Sequence, residues 1–141
     1  MKKTTLFLLL TILISFSACE KNDDDNNSVK IIGKWNLKKE VEREYLNNTL
    51  TSTDDYTYPN GAYIEFKTNG TLEWNEDGSD PENYSDRVDG DKLTIKEDPD
   101  RDPEVFTIEE LSSSKLTISE EDTETISGQT TKEVYQLFLE R

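Results

Sequence analysis

Beyond residue 30, apolar and polar positions alternate with a period of two, and polar breaks interrupt the alternation roughly every 8 to 12 residues. Ile31-Ile32-Gly33-Lys34-Trp35-Asn36-Leu37 opens the pattern, with Trp35, Leu37 and, by continued alternation, Val41 on one face. Tyr45 to Thr53 reads as a return strand. Tyr63 to Lys67 places Ile64 and Phe66 together, Asn69-Gly70 supplies a two-residue hairpin turn, and Leu72 and Trp74 resume the alternation. After a polar loop from Glu76 to Asn83, Tyr84 to Val88 forms a short strand, which Asp89-Gly90-Asp91 turns into Lys92 to Lys96, carrying Leu93 and Ile95. Asp98 to Pro103 breaks the chain again. Glu104 to Leu111 pairs Phe106 with Ile108 on one face, although Ile108 to Leu111 also fits a helical turn. Leu116 and Ile118 follow in Lys115 to Ser119, Gly128 marks the last turn, and Tyr135, Leu137 and Leu139 share a face of the closing strand, Lys132 to Glu140.

No stretch sustains a helical period. About eight short strands joined by short turns predict an all-β, antiparallel protein, either a closed barrel or a two-sheet sandwich. With no long crossover required, an up-and-down barrel is the simpler solution.

The first thirty residues follow a different logic. Lys2 and Lys3 precede a run, Leu6 to Ile14, that is apolar except for Thr11, and the small residues Ser15, Ser17 and Ala18 follow. This is the layout of a secretory signal peptide, with an apolar core too short to span a bilayer. The expected organisation is a signal peptide at 1–18, a disordered acidic tether at 19–29 and one folded domain at 30–141. Removing residues 1–18 would leave 123 residues, enough for one domain, and the loss of Lys2 and Lys3 would take the net charge from −15 to −17. Ser17-Ala18-Cys19 resembles the lipobox of bacterial lipoproteins, with Phe16 where leucine is usual. That resemblance implies cleavage before Cys19 and acylation of Cys19, which would anchor the protein in the membrane through its acyl chains. Asp23-Asp24-Asp25 reads as a solvated spacer. It also resembles the acidic surface-export signal of lipoproteins in some Gram-negative bacteria. Outer-membrane, lipid-anchored localisation is therefore expected, with surface exposure as its sharper form.

Composition narrows the chemistry. Cys19 is the single cysteine and histidine is absent, so internal disulfides, cysteine or histidine zinc sites and Ser-His or Cys-His nucleophile systems are excluded. The strongly negative charge repels phosphates and disfavours a nucleic-acid partner. Asp98, Asp100, Asp102 and Glu109 copy the acidic spacing of a calcium loop, but Pro103 stands where the tight turn needs glycine, and a solvated turn is the expectation. With 31 acidic residues, spacing singles out no general acid–base pair. No catalytic residue, cofactor or metal is predicted. The Asn-x-Thr/Ser matches at Asn47, Asn69 and Asn83 read as turn residues.

Gly33-Lys34-Trp35 at the start of the first strand resembles the Gly-x-Trp signature of lipocalins. The later order (Phe66, Asn69-Gly70-Thr71, Gly90 to Ile95, Leu111, Lys115 to Ile118, and a final aromatic strand ending at Arg141) is similar to the lipocalin-like domain of bacterial lipoproteins. The resemblance implies that Trp35 plugs the closed end of a barrel and that Arg141 packs across its ring.

A barrel of eight strands is just wide enough to be filled by side chains or to hold one small ligand. The inward candidates are Leu37, Ile64, Phe66, Leu72, Trp74, Leu93, Ile95, Phe106, Ile108, Leu116, Ile118, Tyr135, Leu137 and Leu139, and an apolar lining of this kind suits a small hydrophobic or amphipathic ligand. Tyr56, Tyr58 and Tyr63, around the Thr53-to-Gly61 connection, are candidates for a stacking surface at the mouth. The alternative is a filled barrel that presents its surface to a protein partner at the cell envelope.

Overall fold

Alternation at Tyr63-Ile64-Glu65-Phe66 sends Ile64 and Phe66 to one side, where both are fully buried, and the same rule builds most of the sheet. The structure, a computed structural model, describes residues 24–98 and 100–141, and of residues 24–26 the backbone alone. The expected signal peptide and the lipobox with Cys19 lie outside the described residues. A helix, α1 (Asp24–Lys30), precedes nine strands: β1 (Gly33–Leu46), β2 (Thr49–Thr57), β3 (Tyr63–Phe66), β4 (Thr71–Asn75), β5 (Glu82–Asp89), β6 (Lys92–Lys96), β7 (Glu104–Leu111), β8 (Lys115–Ile126) and β9 (Gln129–Glu140).

β1 pairs with β9 along one edge, and on its other edge with β3 at Gly33–Asn36 and then with β2 at Lys39–Leu46. The path β1, β3, β4 and onward to β9, back to β1, closes an antiparallel up-and-down barrel of eight strands, with β2 as a ninth strand laid against β1. The barrel is as expected, but three of its strands are long. β1, β8 and β9 have 14, 12 and 12 residues. β7 stops pairing with β8 at Ser119, so the upper halves of β8, β9 and β1 continue with β2 as a four-stranded extension above the barrel.

The turns differ in detail from the sequence pattern. Lys67 N donates to Thr71 O (2.8 Å), which leaves the three-residue loop Thr68-Asn69-Gly70 with only Gly70 at positive φ (74°), in place of a two-residue turn. Two-residue turns with both central residues at positive φ occur instead at Asn47-Asn48 (50° and 65°) and Ser127-Gly128 (53° and 80°). Asn83 sits in β5 and is not a turn residue, whereas Asn47 and Asn69 are.

Trp35, Leu37, Ile64, Phe66, Leu72, Leu93, Ile95, Phe106, Ile108, Leu116, Ile118, Leu137 and Leu139 form one buried core. Val41 departs from expectation. The register between β1 and β9 slips between Leu37 and Lys39, so Leu37 faces Leu139 but Glu40, not Val41, faces Leu137. One extra residue in a strand reverses every side chain after it. From Lys38 onward the glutamates of β1 therefore point to the barrel side.

The lower end is closed. Trp35 is fully buried, its Nε1 donates to Ile31 O (2.6 Å), and Arg141 Cζ lies 3.9 Å from the centre of its ring. Arg141 Nη2 also donates to the carbonyls of Lys30 (3.2 Å), Ile31 and Ile32. α1 covers this end against β5, with Asn27 Nδ2 donating to Gly90 O (3.0 Å) and Ile31 N to Asn27 O (3.0 Å). The tether expected at 19–29 is thus helical from Asp24, because Ile31 buries itself at the barrel floor and fixes the preceding turn.

Candidate ligand-binding site

The upper end of the barrel holds a cavity of about 480 Å³. Its floor comes from alternate residues at the tops of four strands: Trp74 on β4, Tyr84 on β5, Ile95 on β6 and Phe106 on β7, with Tyr135 of β9 rising at the back. Trp74 and Tyr84 pack with ring centres 6.2 Å apart at 58°. Trp74 Nε1 is buried and no acceptor meets hydrogen-bond geometry, although the Glu76 carboxylate is near enough to feel the N–H.

The wall is acidic. Glu42, Glu120, Asp122 and Glu133 project from the extension, and Glu76, Glu97, Asp102 and Glu104 from the loops and strand ends opposite. Residues directly opposite one another in a sheet share a face, so the pairings order the wall into rows. Asp54 of β2, Glu42 of β1, Tyr135 of β9 and Glu120 of β8 make one row. Ser52, Glu44, Glu133 and Asp122 make the next. The single cation of the lining, Arg101, is already paired with Glu97 (2.5 Å).

Crowding shows in the protonation equilibria. Burial, then the charges of Glu40, Glu82 and Asp77, raises the Glu76 pKa above its ordinary value. Burial, then Glu104 and Asp122, does the same to Glu120. Below the rows, Glu40 Oε2 accepts from both Tyr58 OH (2.7 Å) and Tyr135 OH (3.0 Å). Burial first, and the Glu40 carboxylate with it, pushes both phenols well above the usual tyrosine range, as burial and Glu82 do for Tyr84. All three remain neutral O–H donors at any physiological pH.

Of the inward candidates read from sequence, the structure brings Trp74, Ile95, Phe106 and Tyr135 to the cavity. Leu37, Ile64, Phe66, Leu72, Leu93, Ile108, Leu116, Ile118, Leu137 and Leu139 fill the barrel below it as packed core. The lining is therefore not wholly apolar, because acidic side chains of the upper strands and of the loops and strand ends opposite supply the wall. Tyr56, Tyr58 and Tyr63 do not line it. Tyr56 and Tyr58 pack edge to face at 5.1 Å, and Tyr63 lies on the outer surface beneath Lys34 Nζ (3.5 Å). Asp98 closes its own turn, accepting Asp100 N at Oδ1 (2.9 Å), while Glu109 accepts Ser119 Oγ (2.6 Å) in the sheet. Among the described residues no three acidic side chains converge on a point as a metal cage would require.

The closed end and the barrel order agree with a direct comparison: a family model described as a lipocalin-like domain matches residues 31–118. The chain belongs to this lipocalin-like family. The matched span runs from Ile31 through β1 to the first residues of β8, so it includes Gly33 and Trp35 but not β9 or Arg141. Comparison with curated proteins finds no match. In this lipocalin-like barrel, Trp35 and Arg141 close one end and the Trp74 cavity opens the other.

Proposed function

We propose that this protein is a lipid-anchored envelope lipoprotein whose lipocalin-like barrel binds a small amphipathic molecule at its open end. The observation that carries the binding reading is the cavity itself. At about 480 Å³ it is of small-molecule size, with an aromatic floor and charged groups around its wall. The filled barrel below supplies a rigid base, so binding is passive and the upper loops set selectivity.

The anchoring reading rests on Lys2, Lys3, the apolar run Leu6 to Ile14 and Cys19. The position of α1 supports it geometrically. The chain enters at the closed end, and the cavity lies at the opposite end, so a tether on Cys19 would present the mouth away from the membrane. Outer-membrane placement and surface exposure belong to the same proposal.

The protein is read as a binder and not as an enzyme. Glu76 and Glu120 have raised pKa values, but each is raised by burial and by different neighbours, and neither acts on the other as an acid–base pair would. One observation favours the interaction-module alternative. The β1–β2 and β8–β9 hairpin tips lie side by side, joined by Asn47 N to Thr130 O (2.8 Å), and expose Leu46, Leu50 and Ile126. Native mass spectrometry of the full chain with an extract of its own envelope separates the readings. A discrete small added mass supports the carrier, and a protein-sized one with no small adduct supports the interaction module.

A further inference from the structure

The four-stranded extension segregates its charges by face. On the outer face Lys39 pairs with Asp55 (2.8 Å), Arg43 donates to Gln136 Oε1 (3.1 Å), and Lys132 meets Glu121 (3.1 Å) beneath Tyr45. The face toward the cavity has no lysine or arginine. There Glu44, Glu133 and Asp122 stand directly opposite one another on three neighbouring strands. Like charges in direct cross-strand register destabilise a sheet, and this surface holds three in one row without a counter-ion. The side chains of Glu44, Asp122 and Glu133 have no hydrogen-bond or ion-pair partner among the described residues.

Of this acidic row, Glu133 and Asp122 border the half-open cavity whose floor is Trp74, Tyr84 and Phe106. Aromatic faces attract cations through their quadrupole, and a cleft lined by one sign of charge concentrates counter-ions. Carboxylates that ring the space without converging on a point suit a charge spread over an organic group and not a bare metal ion.

We propose that the cavity selects a small organic cation: an ammonium compound whose apolar part lies on Trp74, Tyr84 and Phe106 and whose charge is held by Glu42, Glu120, Glu133 and Asp122 of the two rows. This deepens the carrier reading and rests on it. The ligand replaces the missing counter-charge of the wall, so charge sets selectivity and apolar contact sets retention.

The test compares three probes with one ring system, naphthylmethylamine, naphthylmethanol and naphthoate, by isothermal titration of the full chain in non-ionic detergent. The amine is expected to bind at least about ten-fold tighter than the alcohol, naphthoate not measurably, and the preference to shrink with added salt. Glu133→Gln with Asp122→Asn should weaken amine binding by a similar factor, while Asp89→Asn, exposed on β5 at the opposite end, should leave it unchanged. Circular dichroism establishes that each variant is folded, and Glu42→Gln serves if the double variant is not. Equal affinity for amine and alcohol would overturn the cation preference and leave the carrier reading standing. Tight binding of the amine that the wall substitutions do not weaken would overturn the assignment of those rows. Failure of all three probes to bind would overturn both readings.

Discussion

Arg141, the last residue of the chain, lies flat over the indole of Trp35, near the start of the first strand, with Cζ 3.9 Å from the ring centre. The same guanidinium donates to three successive carbonyls, those of Lys30, Ile31 and Ile32, where the chain passes from α1 into β1. One side chain thus ties both ends of the described domain to the barrel floor. Arg141→Ala removes a cation–π contact and uncovers those carbonyls, and should cost about 1–3 kcal/mol in urea unfolding. Arg141→Lys, a point charge without the planar fork, should recover only part of that loss.

Gly33 belongs to the same device. Its φ is 115°, and a Cβ there would stand 3.3 Å from Arg141 Nη2. Gly33→Ala should therefore destabilise both through backbone strain and by displacing Arg141, on the order of 1–3 kcal/mol by thermal or urea melts. Combined with Arg141→Ala, the two losses should add to less than their sum, since each disturbs the same contact.

Leu72 tests the inside and outside of the sheet. It is fully buried on β4, opposite Phe66. Leu72→Asp places an unpaired carboxylate in the core and should abolish the cooperative melt, while Leu72→Ala should cost about 2–5 kcal/mol. A Leu72→Asp protein that melts like the parent would contradict the assigned register.

Most of the fold was legible in the sequence because period-two alternation survives wherever a strand has one buried face. Ile64 with Phe66, Leu116 with Ile118 and Leu137 with Leu139 all fall inward as the pattern requires. The signature pair Gly33 and Trp35 located the closed end. The cavity was legible only in part, for a physical reason. Strict alternation from Trp35 and Leu37 carries Val41 inward, but the slip at Lys38 carries Glu40 and Glu42 there instead, and nothing in the local sequence marks a bulge. Glu120, Asp122 and Glu133 were within reach, because continuing the alternation of β8 and β9 past Ile118 and Tyr135 puts them on the inner face. Polarity argued against that extrapolation, since the upper halves of these strands rise above the core.

The acidic wall has a cost in the unliganded protein. Glu133→Gln relieves repulsion from Glu44 and Asp122 on either side and should raise stability by about 0.2–1 kcal/mol, read as a higher urea midpoint at low salt. The gain should shrink in high salt.

pH should act in two opposed windows. Burial raises the pKa values of Glu76, Glu120 and Asp86, with carboxylate neighbours adding to it for the two glutamates. The folded state binds protons at these groups more tightly than the unfolded chain, so stability rises as pH falls from neutrality toward their ordinary values of 4.5 and 3.8. Asp55, Glu73 and Asp77 are held below theirs by Lys39, Lys67 and Ser79. Their contribution is present above the unfolded values and is lost as pH falls through the folded ones. Urea midpoints should therefore increase from pH 7 to about 5 and decline below about 4.

The central claim, that the open end of this barrel holds a small amphipathic molecule, can be read at one atom. The protein has two tryptophans, Trp35 at the closed end and Trp74 at the cavity floor, and so two indole N–H resonances. In a nitrogen–proton correlation spectrum titrated with naphthylmethylamine, the Trp74 resonance should move saturably and the Trp35 resonance should stay in place. Saturable movement of Trp35 with Trp74 unmoved, or movement of neither up to millimolar probe, would contradict the account.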